Sequence, residues 1–270
     1  MSVGGESRRA YWDTRLRDHW GPEGVGSLPY GRRFNRWRYR ARERVFRRLV
    51  RRLALAPERI DVVDIGCGTG FYLDLWRGLG VHSLSGLDIS EFAIGRLAAE
   101  YPEATLYRAD IGLASPLPDE AFDLVTAFDV LVHLVDDEAY RRALGSLHRA
   151  LRPGGWLLYS DSFFHGPSRR HEHYWKGRSL DEAAAALREC GFELLERVPM
   201  SVLMAAPTDT RHPDRNERIW NALTWPARRS DRAGGIAGAV LYPFELLLTS
   251  TLRESPAIEI AVCRRPESCG

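Results

Sequence analysis

The sequence predicts an α/β fold in which a parallel sheet is covered by helices on both faces. Three observations carry that expectation. From Asp61 to Leu195, short β-branched or apolar runs alternate with helix-like stretches. The first run ends in a glycine-rich loop that opens a helix, Asp64-Ile65-Gly66-Cys67-Gly68-Thr69-Gly70. Outside that region strand character returns only once, at Ala257 to Cys263.

Taken in chain order, Tyr30 to Leu53 comes first: Phe34, Trp37, Ala41, Val45, Leu49 and Leu53 recur at helical spacing and leave an arginine face opposite. Strands are expected at Asp61 to Ile65, Ser83 to Asp88, Thr105 to Ala109, Phe122 to Phe128, Gly155 to Ser160 and Glu193 to Val198. Helices are expected at Gly70 to Leu79, Ser90 to Glu100, Asp137 to Leu151 and Ser179 to Cys190. Ser179 caps the last of these, with Glu182 three residues on and Gly191 as its stop. Arg152-Pro153-Gly154-Gly155 reads as a turn before the fifth strand. Met200 to Ser255 then interrupts the sheet before the final strand. The chain therefore divides into an N-terminal helical lid (1–56), a ligand-binding α/β unit (57–199 with 256–265) and an insertion (200–255) placed to be a substrate lid.

Composition bounds the function. The 270 residues are 44% hydrophobic and carry a formal net charge of +2, so bulk charge points to neither a nucleic-acid nor a membrane partner. Lys176 is the one lysine in the sequence, a bias that genome composition explains as readily as a need for guanidinium. Cys67, Cys190, Cys263 and Cys269 are too scattered for a zinc site, so no metal is expected, and a reduced, cytoplasmic protein follows. No export signal is visible. Ile236 to Leu252 is the most apolar late stretch, but Pro243, Glu245 and its length argue against a spanning helix. It reads as a buried or lid helix pair, with membrane-surface contact as the lesser alternative.

In the glycine-rich loop, glycines let the backbone turn tightly and come close to a ligand, which by itself would also suit a dinucleotide or a phosphate. The acids that follow discriminate. Asp88, in Gly-Leu-Asp-Ile-Ser at the end of the second strand, is placed to accept hydrogen bonds from both hydroxyls of a ribose. Asp110, in Arg-Ala-Asp-Ile at the end of the third, is placed to take an exocyclic adenine amine, with Ile89 and Ile111 as apolar walls. With those residues in place, Asp61 to Val198 resembles the class I S-adenosylmethionine-dependent methyltransferases. The resemblance implies a Rossmann-like seven-stranded sheet and S-adenosyl-L-methionine as cofactor. It further implies that Gly66, Gly68 and Gly70 pass close to the methionine part, that Asp88 holds the ribose and that Asp110 with Ile111 reads the adenine, with Asp64, Cys67 and Ile89 as further cofactor-site candidates. Phe122 to His133 resembles the family's fourth-strand motif, so Phe128 and Asp129 are expected beside the sulfonium, and Leu151 to Gly155 resembles the loop before its fifth strand.

Methyl transfer needs mainly alignment and exclusion of water, and a base helps when the nucleophile is an alcohol or phenol. His133, His165 and His173 are the candidate bases. His171 with His173 would suggest a metal only with further ligands, which the sequence does not supply. Trp37, on the pre-sheet helix expected to close over the cofactor, and Arg40, as a fork for its carboxylate, are further cofactor-site candidates. Tyr11, Tyr30, His133, Tyr174 and Trp175 are candidates for contact with the acceptor. The expected function is transfer of a methyl group to a small molecule, an oxygen of a secondary metabolite first, with nitrogen or carbon acceptors, RNA or protein, and non-catalytic cofactor binding as rivals. A nucleic-acid partner is disfavoured because no RNA-binding module and no Asn- or Asp-Pro-Pro-Tyr motif is present.

Overall fold

The computed structural model describes residues 5–171 and 174–267. Three helices precede the sheet: α1 (Gly5–Asp18), α2 (Pro22–Val25) and α3 (Gly31–Arg52). The core then runs β1 (Asp61–Ile65), α4 (Phe71–Leu79), β2 (Ser83–Asp88), α5 (Glu91–Glu100), β3 (Thr105–Arg108), β4 (Phe122–Ala127), α6 (Asp137–Ala150) and β5 (Leu151–Asp161). A small hairpin, β6 (Arg169–His171) and β7 (Trp175–Gly177), leads to α7 (Leu180–Glu189) and β8 (Glu193–Ser201). Two long helices, α8 (Pro213–Arg229) and α9 (Asp231–Thr251), fill the insertion before β9 (Ile258–Arg264).

Seven strands form one sheet in the order β3-β2-β1-β4-β5-β9-β8. The first five are parallel; β9 pairs antiparallel with both β5 and β8. The expected parallel sheet is thus mixed at one edge, because α8 and α9 return the chain from the side of the sheet on which β8 ended. The chain also reverses its direction of travel at β1: β2 and β3 lie to one side, β4 and β5 to the other. Such a switch point leaves a crevice at the carboxyl ends of β1 and β4.

Alternating residues on each strand face opposite cores. Val63, Val125 and Leu157 pack against Ala143, Leu144 and Leu147 of α6 and Ala183 and Leu187 of α7. Val62, Leu124 and Leu158 pack on the other face against Val45, Phe46 and Leu49 of α3 and Leu73 and Trp76 of α4. The carboxyl half of α3, assigned from sequence to a lid, therefore belongs to the sheet's own core, while its amino half (Tyr30, Phe34) joins Met204 and Ala227 in a third cluster with α8 and α9. Helix ends agree with local chemistry: Ser90, Asp136 and Ser179 each accept from the amide three residues on, and Gly191 takes φ +87° after α7.

Two local expectations change. Arg152 to Gly155 lies inside β5, where the β4–β5 register shifts between Phe122 and Leu124; Gly154, at φ +77°, absorbs the irregularity. The apolar stretch after Ile236 is one helix that starts earlier, at Asp231, and continues through Pro243, whose ring points to solvent.

Candidate functional site

The loop between β1 and α4 turns on Gly66, Gly68 and Gly70, at φ +68°, +53° and +83°. The amides of Gly66 and Cys67 donate to the Leu87 carbonyl at 2.6 and 3.1 Å, drawing the loop across the end of β2. A Cβ at Gly66 would sit 2.2 Å from Val130 Cγ2, and one at Gly68 would sit 2.7 Å from Val25 Cγ1, so this backbone is approached closely from both sides. Beside it opens a cleft lined by this loop, by the carboxyl ends of β1, β2 and β4 and by the N-terminal helices.

Buried Asp88 accepts from the Gly68 amide with one oxygen and from the Ser90 amide with the other, both at 2.8 Å. Burial pushes its carboxyl up, against the pull of those amides. Asp110 accepts from the Gly112 amide at 3.0 Å and from Arg8 of α1 at 2.7 Å. Ile89, Ala109 and Ile111 supply the apolar wall between the two acids.

At the opposite end, the carboxylate of Asp129 pairs with the buried guanidinium of Arg42. Asp129 adopts φ +58°, rare for a residue with a side chain, and its amide donates to Ser160 Oγ at 2.8 Å. Burial alone would raise its carboxyl, but the Arg42 and Arg38 charges outweigh burial and hold it at about 2. Arg42 spends one nitrogen on this pair. Its Nε and Nη2 are buried with no hydrogen-bond partner among the described residues, although the side chain lines the cleft. Unmet buried donors are costly, and a carboxylate fits two adjacent guanidinium nitrogens.

Between these ends lie Phe128, Val130 and His133. Tyr174 O can only accept, so the 2.7 Å contact fixes Nδ1 of His133 as the donor and leaves Nε2 without a proton when the ring is neutral. Burial lowers the ring's pKa, outweighing the Tyr174 carbonyl and the Asp129 charge. Trp12 of α1 meets that ring edge-on, with centroids 5.2 Å apart.

Residues 34–197 match the family model described as a methyltransferase domain. The chain belongs to the class I S-adenosylmethionine-dependent methyltransferases. Two mycobacterial relatives, each named "Probable S-adenosylmethionine-dependent methyltransferase", support the assignment. The one from Mycolicibacterium smegmatis is 34% identical over 47% of this chain and 45% of its own. The one from Mycobacterium tuberculosis is 28% identical over 79% of this chain and 77% of its own. The match thus spans under half of the first relative. O-methyltransferase resE of Aspergillus sclerotiorum is 32% identical over 58% of this chain and 63% of its own. Among solved structures, that of the [4+2]-cyclase SpnF shares the fold at a TM-score of 0.53 and 20% identity, covering 84% of this chain and 81% of its own.

S-adenosylmethionine is the cofactor of this methyltransferase, and the cleft brings together many of the residues singled out from sequence: Gly66, Cys67, Gly68, Asp88, Ile89, Asp110, Ile111, Phe128, Asp129 and His133. Asp64 and Gly70 support it from behind. Asp64 is buried, accepts from Thr126 Oγ1 at 2.5 Å, and is pushed up to about 7 by burial despite that bond. Gly70 holds the left-handed cap of α4.

Other candidates lie elsewhere. Arg40 is exposed, stacks on Trp37 at 4.7 Å and faces α9, and Trp37 packs on Tyr242; Arg42, about 200° further round the helix, faces the cleft instead. Tyr30 is buried against Phe34 and Trp220 and accepts from Arg228 at 2.6 Å. Exposed Tyr11 accepts from Arg15. His165 is spent on ion pairs with Asp209 at 2.6 Å and Glu254 at 3.3 Å, and the Asp209 hydrogen bond raises its pKa. Tyr174 offers its carbonyl to His133, and Trp175 packs toward Phe164. His173 lies outside the described residues. Among the described residues no cluster could hold a metal ion, and none from the insertion lines the cleft. The cover comes from Arg8, Trp12 and Leu16 of α1, Val25 of α2, and Tyr39 and Arg42 of α3. Arg42 was missed from sequence, yet it precedes Val45 by three and Leu49 by seven residues, which puts a charge on the helix's apolar face.

Proposed function

We propose that this enzyme methylates an oxygen of a small molecule held against His133, beneath the lid formed by α1 and α2. The observation that carries the reading is His133. It lines the cofactor cleft, its ring is biased to the neutral form, and its Nδ1–H is committed to Tyr174, so Nε2 is left to accept a proton. The O-methyltransferase relative supports an oxygen acceptor.

When bound, the cofactor supplies an electrophilic methyl on sulfur. The chain's own residues do the rest. Arg42 takes the carboxylate of the cofactor's amino-acid end through Nε and Nη2, while Asp129 attracts its ammonium. Asp88 accepts from the ribose hydroxyls, and Asp110 accepts from the adenine amine in exchange for Arg8. His133 Nε2 removes the acceptor's hydroxyl proton as the oxygen takes the methyl. Trp12, Leu16 and Phe128 exclude water from that line.

The test is S-adenosylhomocysteine release across a library of phenols, alcohols and amines. His133→Gln should lower kcat on the active hydroxyl acceptor by about 10²- to 10⁴-fold with cofactor affinity unchanged. Because the base must be neutral and its pKa is lowered, the wild-type rate should rise through an acid limb below pH 6.5 and be flat at neutrality. An unchanged turnover in His133→Gln, or acceptors confined to amines, would remove this reading.

A further inference from the structure

Beyond its first two residues, Asp231 and Arg232, the solvent face of α9 carries no charge. From Ala233 to Leu252 the one acidic or basic side chain is Glu245, and it is buried. Ile236, Val240, Phe244 and Leu247 recur one turn apart on the outer surface and are 68, 59, 56 and 58% exposed. In the neighbouring α8, Leu223 and Trp225 are 75 and 54% exposed. Apolar residues scattered singly on a surface need no explanation, but a continuous row does.

Along one flank this row meets arginines. Arg33, Arg36, Arg40, Arg232 and Trp37 line a groove between α3 and α9 whose other wall includes Ile236. Arg33 pairs with Asp231, whereas Arg36, Arg40 and Arg232 have no ion-pair partner among the described residues. An apolar ridge beside unpaired guanidiniums matches acyl chains beneath anionic headgroups.

We propose that the outer face of α9, with the α3 arginines, docks this enzyme on an anionic lipid bilayer, with the helix lying in the membrane plane. By length and composition α9 could instead cross a membrane. Its packing opposes that. Glu245 accepts from Ser201 Oγ at 2.7 Å and from the amides of Val202 and Leu203 at 3.0 and 2.6 Å, and Arg48 donates to the Thr249 carbonyl, so the inner face is tied to the sheet and to α3. A second copy of the chain fits the face poorly, because two-fold pairing about α9 would bring the unpaired arginines of both copies toward one interface. RNA would match the arginines and leave the uncharged row without a partner.

The experiment is co-sedimentation of the full-length protein with phosphatidylglycerol–phosphatidylcholine vesicles and with pure phosphatidylcholine vesicles. Binding to the anionic vesicles should fall with rising salt and should exceed binding to the neutral ones. Arg36→Gln and Arg40→Gln should each weaken it about fivefold. Phe244→Ser with Leu247→Ser should weaken it by roughly tenfold or more at every salt concentration. All variants should keep the wild-type melting temperature and S-adenosylhomocysteine affinity, since none of these residues lines the cleft. Failure to bind anionic vesicles would overturn the proposal. So would binding indifferent to the Phe244 and Leu247 changes, or a wild-type dimer that those changes convert to monomer in sedimentation equilibrium.

Discussion

Replacing Arg42 by Gln tests how the cleft holds its cofactor. The wild-type guanidinium is 2% exposed and offers Nε and Nη2 to the cleft with no acceptor among the described residues. Two hydrogen bonds from a charged donor contribute about 1.5–3 kcal/mol each, or about 3–6 kcal/mol together. Asp129 neutralises part of the charge, which favours the lower half of that range and corresponds to a loss of about 10²- to 10³-fold in affinity. The assay is calorimetric titration with S-adenosylhomocysteine and, separately, with 5′-methylthioadenosine, which keeps adenine, ribose and thioether but has no carboxylate. Arg42→Gln should lose the full factor for the first and under about threefold for the second, with Arg42→Lys between. The substitution also strips Asp129 of its principal partner. That side chain is 28% exposed and retains Ser160, so the stability cost should lie below the ~3–5 kcal/mol typical of a broken buried pair, and a melting curve checks it first. Equal losses for the two ligands would mean that Arg42 shapes the cleft without touching the carboxylate. No loss for either would refute the assignment outright.

Gly66→Ala should abolish cofactor binding, because its Cβ would lie 2.2 Å from Val130 Cγ2 at φ +68°; adding Val130→Ala should restore binding in part, leaving a residual strain of about 1 kcal/mol, read by the same titration. Phe46→Ala removes a ring packed between Tyr72, Trp76 and Phe128 and should cost about 3–5 kcal/mol in urea denaturation, with the midpoint moving and the slope unchanged. Burial pushes Asp161 up to about 7 despite the Ser162 amide and the Arg178 charge. A carboxyl raised in the folded state contributes stability that is complete below pH 4 and lost as pH rises to about 7. Asp161→Asn should therefore flatten the decline in stability between pH 5 and pH 8 and leave the variant the more stable at pH 8, while an unchanged slope would show that Asp161 is ionised throughout.

What was legible in the sequence is what local periodicity and backbone chemistry write there. Val62-Val63 and Leu157-Leu158 place one apolar residue on each face of the sheet, so the strands announce themselves. Gly66, Gly68 and Gly70 mark positive φ directly, Asp88 follows from closing its strand run, and Asp110 from coming directly after its own. His165 is a candidate beside His133 because both follow a strand, but the partners that distinguish them, Asp209 and Glu254 against the Tyr174 carbonyl, are distant in sequence. The insertion looked like a lid for its apolar content. That content instead packs on α3 or faces outward, and the helices that do cover the cleft include α1, which lies in the N-terminal segment (1–56) read from sequence as a lid although its hydrophobic pattern is weak.

Helix α3 shows why composition alone could not resolve the site. It presents one residue type, arginine, to three environments. Arg42 turns inward with Val45 and Leu49 and supplies the cleft's unpaired donors. Arg47 closes an intrahelical pair with Glu43 at 2.9 Å, and an exposed pair of that kind contributes little. Arg36 and Arg40 flank the α9 ridge. A guanidinium in water, one on a ridge and one buried beside a carboxylate differ by several kcal/mol in what they can give a ligand, yet they are separated here by two to five positions of sequence. Only the rotation of the helix about its axis sorts them. The same rotation packs Phe46 onto the sheet, so the hydrophobic stripe that builds the core also aims Arg42 at the cleft.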